Sequence, residues 1–259
     1  MQRFFVPPNC IQGSTVSLVG PVVHQIRNVL RLRGGDEIIV LDNSGWEYHV
    51  RLTSVDVEVA NGQIVQKSLV QTEPRAKVTL YQSVLKGDRF EWVLQKGTEV
   101  GAVEFVPLVT DRCVIANVDE VGRPRIERWE RIVREAAEQS HRGRLPRLHP
   151  ALLFPQACER ARRADLALLP WEDEKLVTLR AMLTASCEAG PAVQGRRVPL
   201  RRPFSISIFI GPEGGFTGPE ADQARRYGLA PVSLGPRILR AETAAVVALT
   251  TVLYHLEDT

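Results

Sequence analysis

The stretch FIGPEGGFTGPE, residues 209–220, follows the alternating apolar run FSIS and reads as the end of a strand breaking into a loop. Gly211, Gly214 and Gly215 allow positive φ and close approach of the backbone to a ligand, and Pro212 presets a turn. These residues alone leave two readings open: a plain tight turn, or a loop shaped around something flat or polar. A second sharp loop, LGPRILRAET at residues 234–243, follows the short run APVS, and a third strand end reads LLPWEDE at residues 168–174. Ligands in open α/β sheets bind outside the carboxyl ends of strands, so the three loops are expected to wall one pocket. Neither GxxxxGK[ST] nor a helix-opening GxGxxG is present, which excludes the two standard phosphate cradles.

Working outward, the residues from Lys77 alternate between strand-like and helix-like runs, the texture of an α/β layer with a largely parallel sheet. KVTLYQSVL, VEFVPLVT, DLALLP, SISIFI and APVSLG read as strands. DRFEWVLQKGTEVG is a helix with Phe90, Val93, Leu94 and Val100 on its apolar stripe. PRIERWERIVREAAEQS is another, facing inward with Ile126, Trp129, Val133 and Ala136 or Ala137. TGPEADQARRYG starts at a Thr-Gly-Pro-Glu signal and stops at Gly228, and ETAAVVALTTVLYHLE closes the chain as a helix. The first seventy or so residues differ: short β-rich runs are broken by RGGD, DNSG and NG, with one short helix at PVVHQIRNVLRL. The polar QTEPRAK reads as a linker, giving expected domains of 1–72 and 73–259. CEAGPAVQGRRVPLRRP, before Ser205, has no periodicity and is expected to be a mobile loop.

The 259 residues are 44% hydrophobic and 24% charged, a globular composition with room for two domains. No apolar run reaches the roughly 18 residues of a membrane span, and MQRFFVPPNC lacks the features of a signal peptide, so a cytoplasmic protein without membrane contact is expected. The four cysteines, Cys10, Cys113, Cys158 and Cys187, stand singly, which argues against a metal site or a disulfide framework. A net charge of +3 does not by itself require a nucleic-acid partner, but HRGRLPRLH at 141–149 and RRVPLRR at 196–202 contain no acid. Arginine suits bidentate and stacked contacts to phosphates and bases, so the two clusters point toward a polyanion.

FIGPEGGFTGPE and VSLGPRILRAETAA resemble the closing motifs of the RsmE family, the bacterial 16S ribosomal RNA uridine-N3 methyltransferases within the SPOUT superfamily. QKGTEVGAVEFVPLVTDRC, RWERIVREAAEQSHR, and the opening RFFV with HQIRNVLRLRGGDEI resemble that family in the same order, so the likeness covers nearly the whole chain. It implies a PUA-like RNA-binding β-barrel, then a parallel sheet with helices on both faces whose C-terminal segment forms a trefoil knot. It also implies S-adenosylmethionine as cofactor, 16S ribosomal RNA of the small subunit as partner, a homodimer and no metal. The cofactor is expected against Leu169 and Pro170; against Ile210, Gly211, Pro212, Glu213, Gly214 and Gly215; and against Leu234, Gly235, Ile238, Leu239, Arg240, Glu242 and Thr243.

Methyl transfer to N3 needs removal of the N3 proton or stabilisation of the resulting anion across O2 and O4, a task for an arginine fork. Arg142 and Arg240 are the candidate catalytic residues, with Glu213 and Glu242 as rival bases. Arg3, His24, Arg31, Arg33, Arg142 and Arg144 are the candidate RNA contacts. His141 stands where the family commonly has a small residue. A factor that keeps the fold and binds RNA without catalysis is the competing reading.

Overall fold

The computed structural model describes residues 1–187 and 204–256; the expected loop before Ser205, with its arginine cluster at 196–202, lies almost wholly outside the described residues. The chain divides into two compact units, one of Met1–Glu73 with Arg134–Leu145, the other of Pro74–Val133 with Pro146–Thr259. The sequence expectation assigned everything from residue 73 to one domain; residues 134–145 instead group with the first unit.

In the first unit six strands form one curled sheet: β1 (Arg3–Phe5), β2 (Ile11–Gln12), β3 (Thr15–Val19), β4 (Glu37–Leu41), β5 (Trp46–Val55) and β6 (Val59–Leu69). Their order is β1-β4-β5-β6-β3-β2, antiparallel except for the β1–β4 pair. Register shifts at His49/Val50 and Leu52/Ser54 mark irregularities that bend the long β5–β6 ribbon. Gly62 sits inside that bend, where a Cβ would lie 2.4 Å from Val50 Cγ1, so no side chain fits. The expected short helix is α1 (Pro21–His24), continued by one wider turn over Gln25–Val29. Its Val23 and Ile26 pack on Phe4, Leu18, Ile38, Val40, Val50 and Leu52. The opposite side of β4, Ile39 and Leu41, packs with Phe5 and Ala137.

Glu73 organises the end of this unit. Its carboxylate accepts from Arg142 Nη2 (2.9 Å) and Nε (3.3 Å), from Gly143 N (3.0 Å) and from Arg144 N (3.1 Å). Burial pushes this carboxyl up, but the Arg142 hydrogen bonds and charge, with the two amides, outweigh it and hold it below its ordinary 4.5.

The second unit is a parallel sheet of β7 (Lys77–Ser83), β8 (Glu104–Val109), β9 (Arg147–Leu148), β10 (Leu152–Leu153), β11 (Leu166–Pro170), β12 (Ser205–Ile210) and β13 (Ala230–Val232). The order is β10-β8-β7-β12-β11-β13, with β9 also pairing β8. Its helices are α2 (Arg89–Val100), α4 (Phe154–Ala161), α5 (Leu179–Cys187), α6 (Gly218–Arg226) and α7 (Ala241–Leu256), together with the first part of α3 (Arg123–Gln139). Strand alternation sends Val78, Leu80, Ile206 and Ile208 to one face, under Phe90 and Leu94 of α2 and Leu249 and Val252 of α7. Tyr81 and Phe209 face the other way, stacked at 4.3 Å between centroids and covered by Phe154 of α4 and Ala221 of α6. Helices therefore cover both faces, as expected.

β12 enters between β7 and β11, strands laid down earlier, and α7 then returns to pack on α2 and β7.

Helix α4 escaped the sequence reading, although Phe154, Ala157, Cys158 and Ala161 are buried at helical spacing behind a first-turn proline. Burial and the nearby charge of Glu220 push the Cys158 thiol up to about 12, so this free cysteine is an inert core residue.

Replacing Glu73 by alanine would remove the carboxylate that pairs with the Arg142 guanidinium, which is 3% exposed. The expected cost is about 3–5 kcal/mol of stability at neutral pH, read as a lower denaturant midpoint. Because the folded-state value of Glu73 is depressed, its contribution is present above the ordinary 4.5 and lost as pH falls through the lower folded value. The gap between wild type and variant should therefore narrow in acid; a gap independent of pH would exclude this pair as its source.

Candidate functional site

At the carboxyl end of β12 the backbone turns through Pro212 to Gly215, where Gly215 N donates to Pro212 O at 2.9 Å and Gly215 takes φ +68°. A Cβ on Gly211 would lie 3.2 Å from Phe216 N, and one on Gly215 would lie 2.9 Å from Glu172 Oε1. The first glycine lets the loop fold on itself; the second leaves space in front of a carboxylate.

Three fasteners hold this loop. Trp171 Nε1 donates to Phe216 O at 3.2 Å. Arg112 Nη1 donates to Gly214 O at 2.6 Å. Glu220, 4% exposed, accepts from Thr217 N at 2.8 Å and from Asp111 N at 3.0 Å, so one buried carboxylate caps α6 and ties its start to the end of β8.

The loop lines a cavity of about 360 Å³, a volume in the range of small-molecule sites. Ile210, Gly211, Pro212, Glu213 and Gly215 form one wall. Leu234, Gly235, Ile238, Leu239, Arg240 and Glu242 form the facing wall, with Gly235 at φ +118° where the chain leaves β13. Pro170 closes the side. Three of the residues expected here lie elsewhere: Leu169 points into the opposite core, Gly214 packs behind the loop on Arg112, and Thr243 is exposed outside the lining. Alternation in β11 explains Leu169, since Pro170 and its neighbour cannot both face one side.

Trp171, Glu172, Lys175, Phe216 and Arg237 also line the cavity, as does Arg89 from the start of α2. LLPWEDE carried a signal for Trp171 and Glu172; nothing in the sequence connects Arg89 to a loop 124 residues away.

The cavity holds charges of both signs. Arg89 Nη1 lies 3.2 Å from Glu213 Oε1, which also accepts from Lys86 N at 3.0 Å, and Arg89 Nε lies 4.0 Å from Glu242 Oε1. Glu242 Oε2 is buried and has no hydrogen-bond partner among the described residues. A buried acceptor left this way costs about 1–3 kcal/mol until a donor reaches it. Arg240 is exposed and has no ion-pair partner among the described residues. The arrangement suits a ligand with both donors and acceptors. No cluster of metal-ligating side chains occurs among the described residues.

In the first unit, the candidate RNA contacts separate by exposure. His24, Arg31, Arg33 and Arg144 are exposed. Arg3 is buried and paired with Glu47, and Arg142 is buried against Glu73, so both cations are committed inside the fold.

A family model described as an RNA methyltransferase domain matches residues 71–253. Ribosomal RNA small subunit methyltransferase E of Bacillus subtilis is 33% identical over 99% of this chain and 98% of its own length. The chain belongs to the ribosomal RNA small subunit methyltransferase E family. The Synechocystis methyltransferase E is 37% identical over 99% of this chain and 78% of its own. A crystal structure of the Neisseria gonorrhoeae methyltransferase E, bound to S-adenosylmethionine, superimposes with a TM-score of 0.75 at 30% identity, covering 97% of this chain and 96% of that one. A Legionella pneumophila methyltransferase with bound cofactor gives a TM-score of 0.81 at 28% identity, covering 96% of each chain. The expected fold, a PUA-like β-unit before a SPOUT-type parallel sheet, is thus the fold of the methyltransferase E family.

Glu220→Ala removes the acceptor that joins Thr217 to Asp111. We expect a lower melting temperature and faster amide exchange confined to residues 111–112 and 211–217. Exchange unchanged in both segments would show that the tie does not hold the loop.

Proposed function

We propose that this chain transfers a methyl group from S-adenosylmethionine to N3 of a uridine in 16S ribosomal RNA. The observation that carries the reading is the glycine-walled cavity with its buried Glu242 Oε2, which has no hydrogen-bond partner among the described residues, in a chain of the methyltransferase E family. The donor set fits the cofactor. Glu172, Glu213 and Glu242 favour its cationic sulfonium and ammonium groups, Glu242 Oε2 offers an acceptor to an N–H or O–H, and Gly211 and Gly215 keep the loop backbone clear of side chains. When bound, the cofactor supplies an electrophilic methyl group on sulfur.

The residues of the chain act on the uridine side. N3 carries a proton at neutral pH; its loss to solvent water leaves a negative charge shared by O2 and O4, and the N3–methyl bond would form as the methyl–sulfur bond of the cofactor breaks, with S-adenosylhomocysteine as leaving group. Arg240, exposed at the cavity and unpaired among the described residues, supplies the guanidinium that holds this charge. Arg142, the other arginine considered for this step, braces the first unit through Glu73. Arg89 keeps the Glu213 carboxylate turned toward itself and away from the role of base.

The reading places the protein in the cytoplasm with its ribosomal RNA; no described helix is long and apolar enough to cross a membrane. A homodimer is part of the proposal. Leu249 and Leu253 are buried in their own unit, leaving the half-buried Val246 and Val247 and the 74% exposed Tyr254 among the accessible residues of α7, beside the exposed Thr243, Thr250 and His255.

The direct test is methylation of small-subunit RNA with labelled cofactor, followed by nucleoside analysis. N3-methyluridine is expected; label on ribose or another base would refute the N3 assignment. Gly215→Val fills the space before Glu172 and should weaken S-adenosylmethionine binding at least tenfold by calorimetry in protein that remains folded. Unchanged affinity would remove this loop from the site. Arg240→Ala should lower the single-turnover rate at saturating RNA and cofactor by roughly 100-fold, the scale of losing one oxyanion donor. The residual rate should climb more steeply toward alkaline pH, because it depends on uridine already ionised. A wild-type saturated rate would move the role to the carboxylates.

A further inference from the structure

The β4–β5 turn carries a surface outside the cavity described above. Trp46, the first residue of β5, is 39% exposed. Lys67, paired with Tyr48 across the β5–β6 ladder, holds its Nζ 4.7 Å from the Trp46 ring centroid and 5.1 Å from that of Tyr48. The preceding Gly45 has φ +98°, and a Cβ there would meet Arg144 Nε at 3.3 Å. The Arg144 guanidinium is laid along this turn by a hydrogen bond from Nη2 to Ser44 O, while Asn43 Oδ1 accepts from Leu145 N at 2.7 Å. Glu73 fixes the Arg144 backbone from below, as described above.

A half-exposed indole therefore carries an ammonium over its ring, a guanidinium lies along the adjoining turn, and neither cation has an ion-pair partner among the described residues. One neighbouring acid offsets them in part: Asp42, fixed by Ser44 and by the Tyr48 hydroxyl at 3.1 Å, leaves a net positive charge with Lys67 and Arg144. Glu47 alternates to the other face of β5, where Arg3 and Ser68 hold it. An acidic peptide would use the charges and leave the ring idle. A nucleotide uses both.

We propose that Trp46, Lys67 and Arg144 form a contact for single-stranded RNA, in which one unpaired base stacks on Trp46 and the two cations take the flanking phosphates. The inference rests on the reading of the chain as a ribosomal RNA methyltransferase and adds to it a place where substrate is gripped away from the methyl-transfer cavity.

The test titrates the full chain with an unstructured pyrimidine 12-mer RNA, an RNA hairpin duplex, and inorganic polyphosphate as a polyanion control. The fluorescence difference between wild type and Trp46→Phe isolates Trp46 from Trp92, Trp129 and Trp171. The single strand should quench this difference signal, and duplex and polyphosphate should not. Trp46→Ala should weaken single-strand binding about tenfold, with Trp46→Phe recovering most of it. Lys67→Gln should flatten the slope of log affinity against log salt by about 0.7. Equal quenching by polyphosphate, or Trp46→Ala binding as wild type does, would overturn the proposal. Methyl transfer to 16S ribosomal RNA separates this from the parent reading. A raised KM with unchanged kcat in Trp46→Ala supports the contact; unchanged KM sinks it alone; wild type that transfers no methyl sinks the function, while the titration still decides the stacking.

Discussion

The second unit depends on β12 being hydrogen-bonded on both sides. Ser205–Ile210 pairs in parallel with β7 over its whole length and with β11 over Leu166–Leu168, so its backbone polar groups are spent inside the sheet. A strand held on both edges cannot slide without turning every side chain to the wrong face, since Ile206 and Ile208 serve one core and Phe209 the other. The loop that follows thus leaves the sheet at a fixed point and in a fixed direction. The glycines can shape that loop because its origin does not move.

Around that origin the fold uses one carboxylate at a time as a fastener. Glu220 joins the start of α6 to the end of β8, and Glu73 gathers an arginine fork and two backbone amides in the first unit. Each presents acceptor-only oxygens to several donors at once, and hydrogen bonds to a charged acceptor are stronger than neutral ones. Glu242 differs, with one buried oxygen that finds no donor among the described residues beside a cavity. The contrast between two satisfied carboxylates and one unsatisfied one sets the ligand site apart from the scaffold.

The basic residues divide in the same way. Arg3 and Arg142 are internal braces, and Arg89 holds Glu213 at the cavity rim. Arg144, Arg240 and Lys67 keep their charge at the surface. A modest net charge of +3 thus conceals a separation between cations consumed by the fold and cations left at the surface.

Local chemistry was legible in the sequence wherever the decisive neighbours are close along the chain. The alternation of SISIFI, the Thr217–Glu220 cap, the positive φ of Gly215 and Gly228, and the strand-end loops all follow from spacings of a few residues. Spacing located the strand-end loops that wall the cavity and the family resemblance its lining residues, and the shortfall at Leu169 is a one-residue question of strand phase. The fate of each arginine was not legible. HRGR looks like a solvated basic run, yet Arg142 meets Glu73, 69 residues away, and Arg3 meets Glu47, 44 away. Arg89 reaches Glu213 across 124 residues. Whether a charge is a brace, a rim or a contact depends on what lies within about 4 Å of it and on how far water is excluded there. Spacing along the chain was enough for the longer strands, the start of α6 and the glycine loops; which charges those loops face, and which are buried out of reach, was set by contacts between residues far apart in sequence.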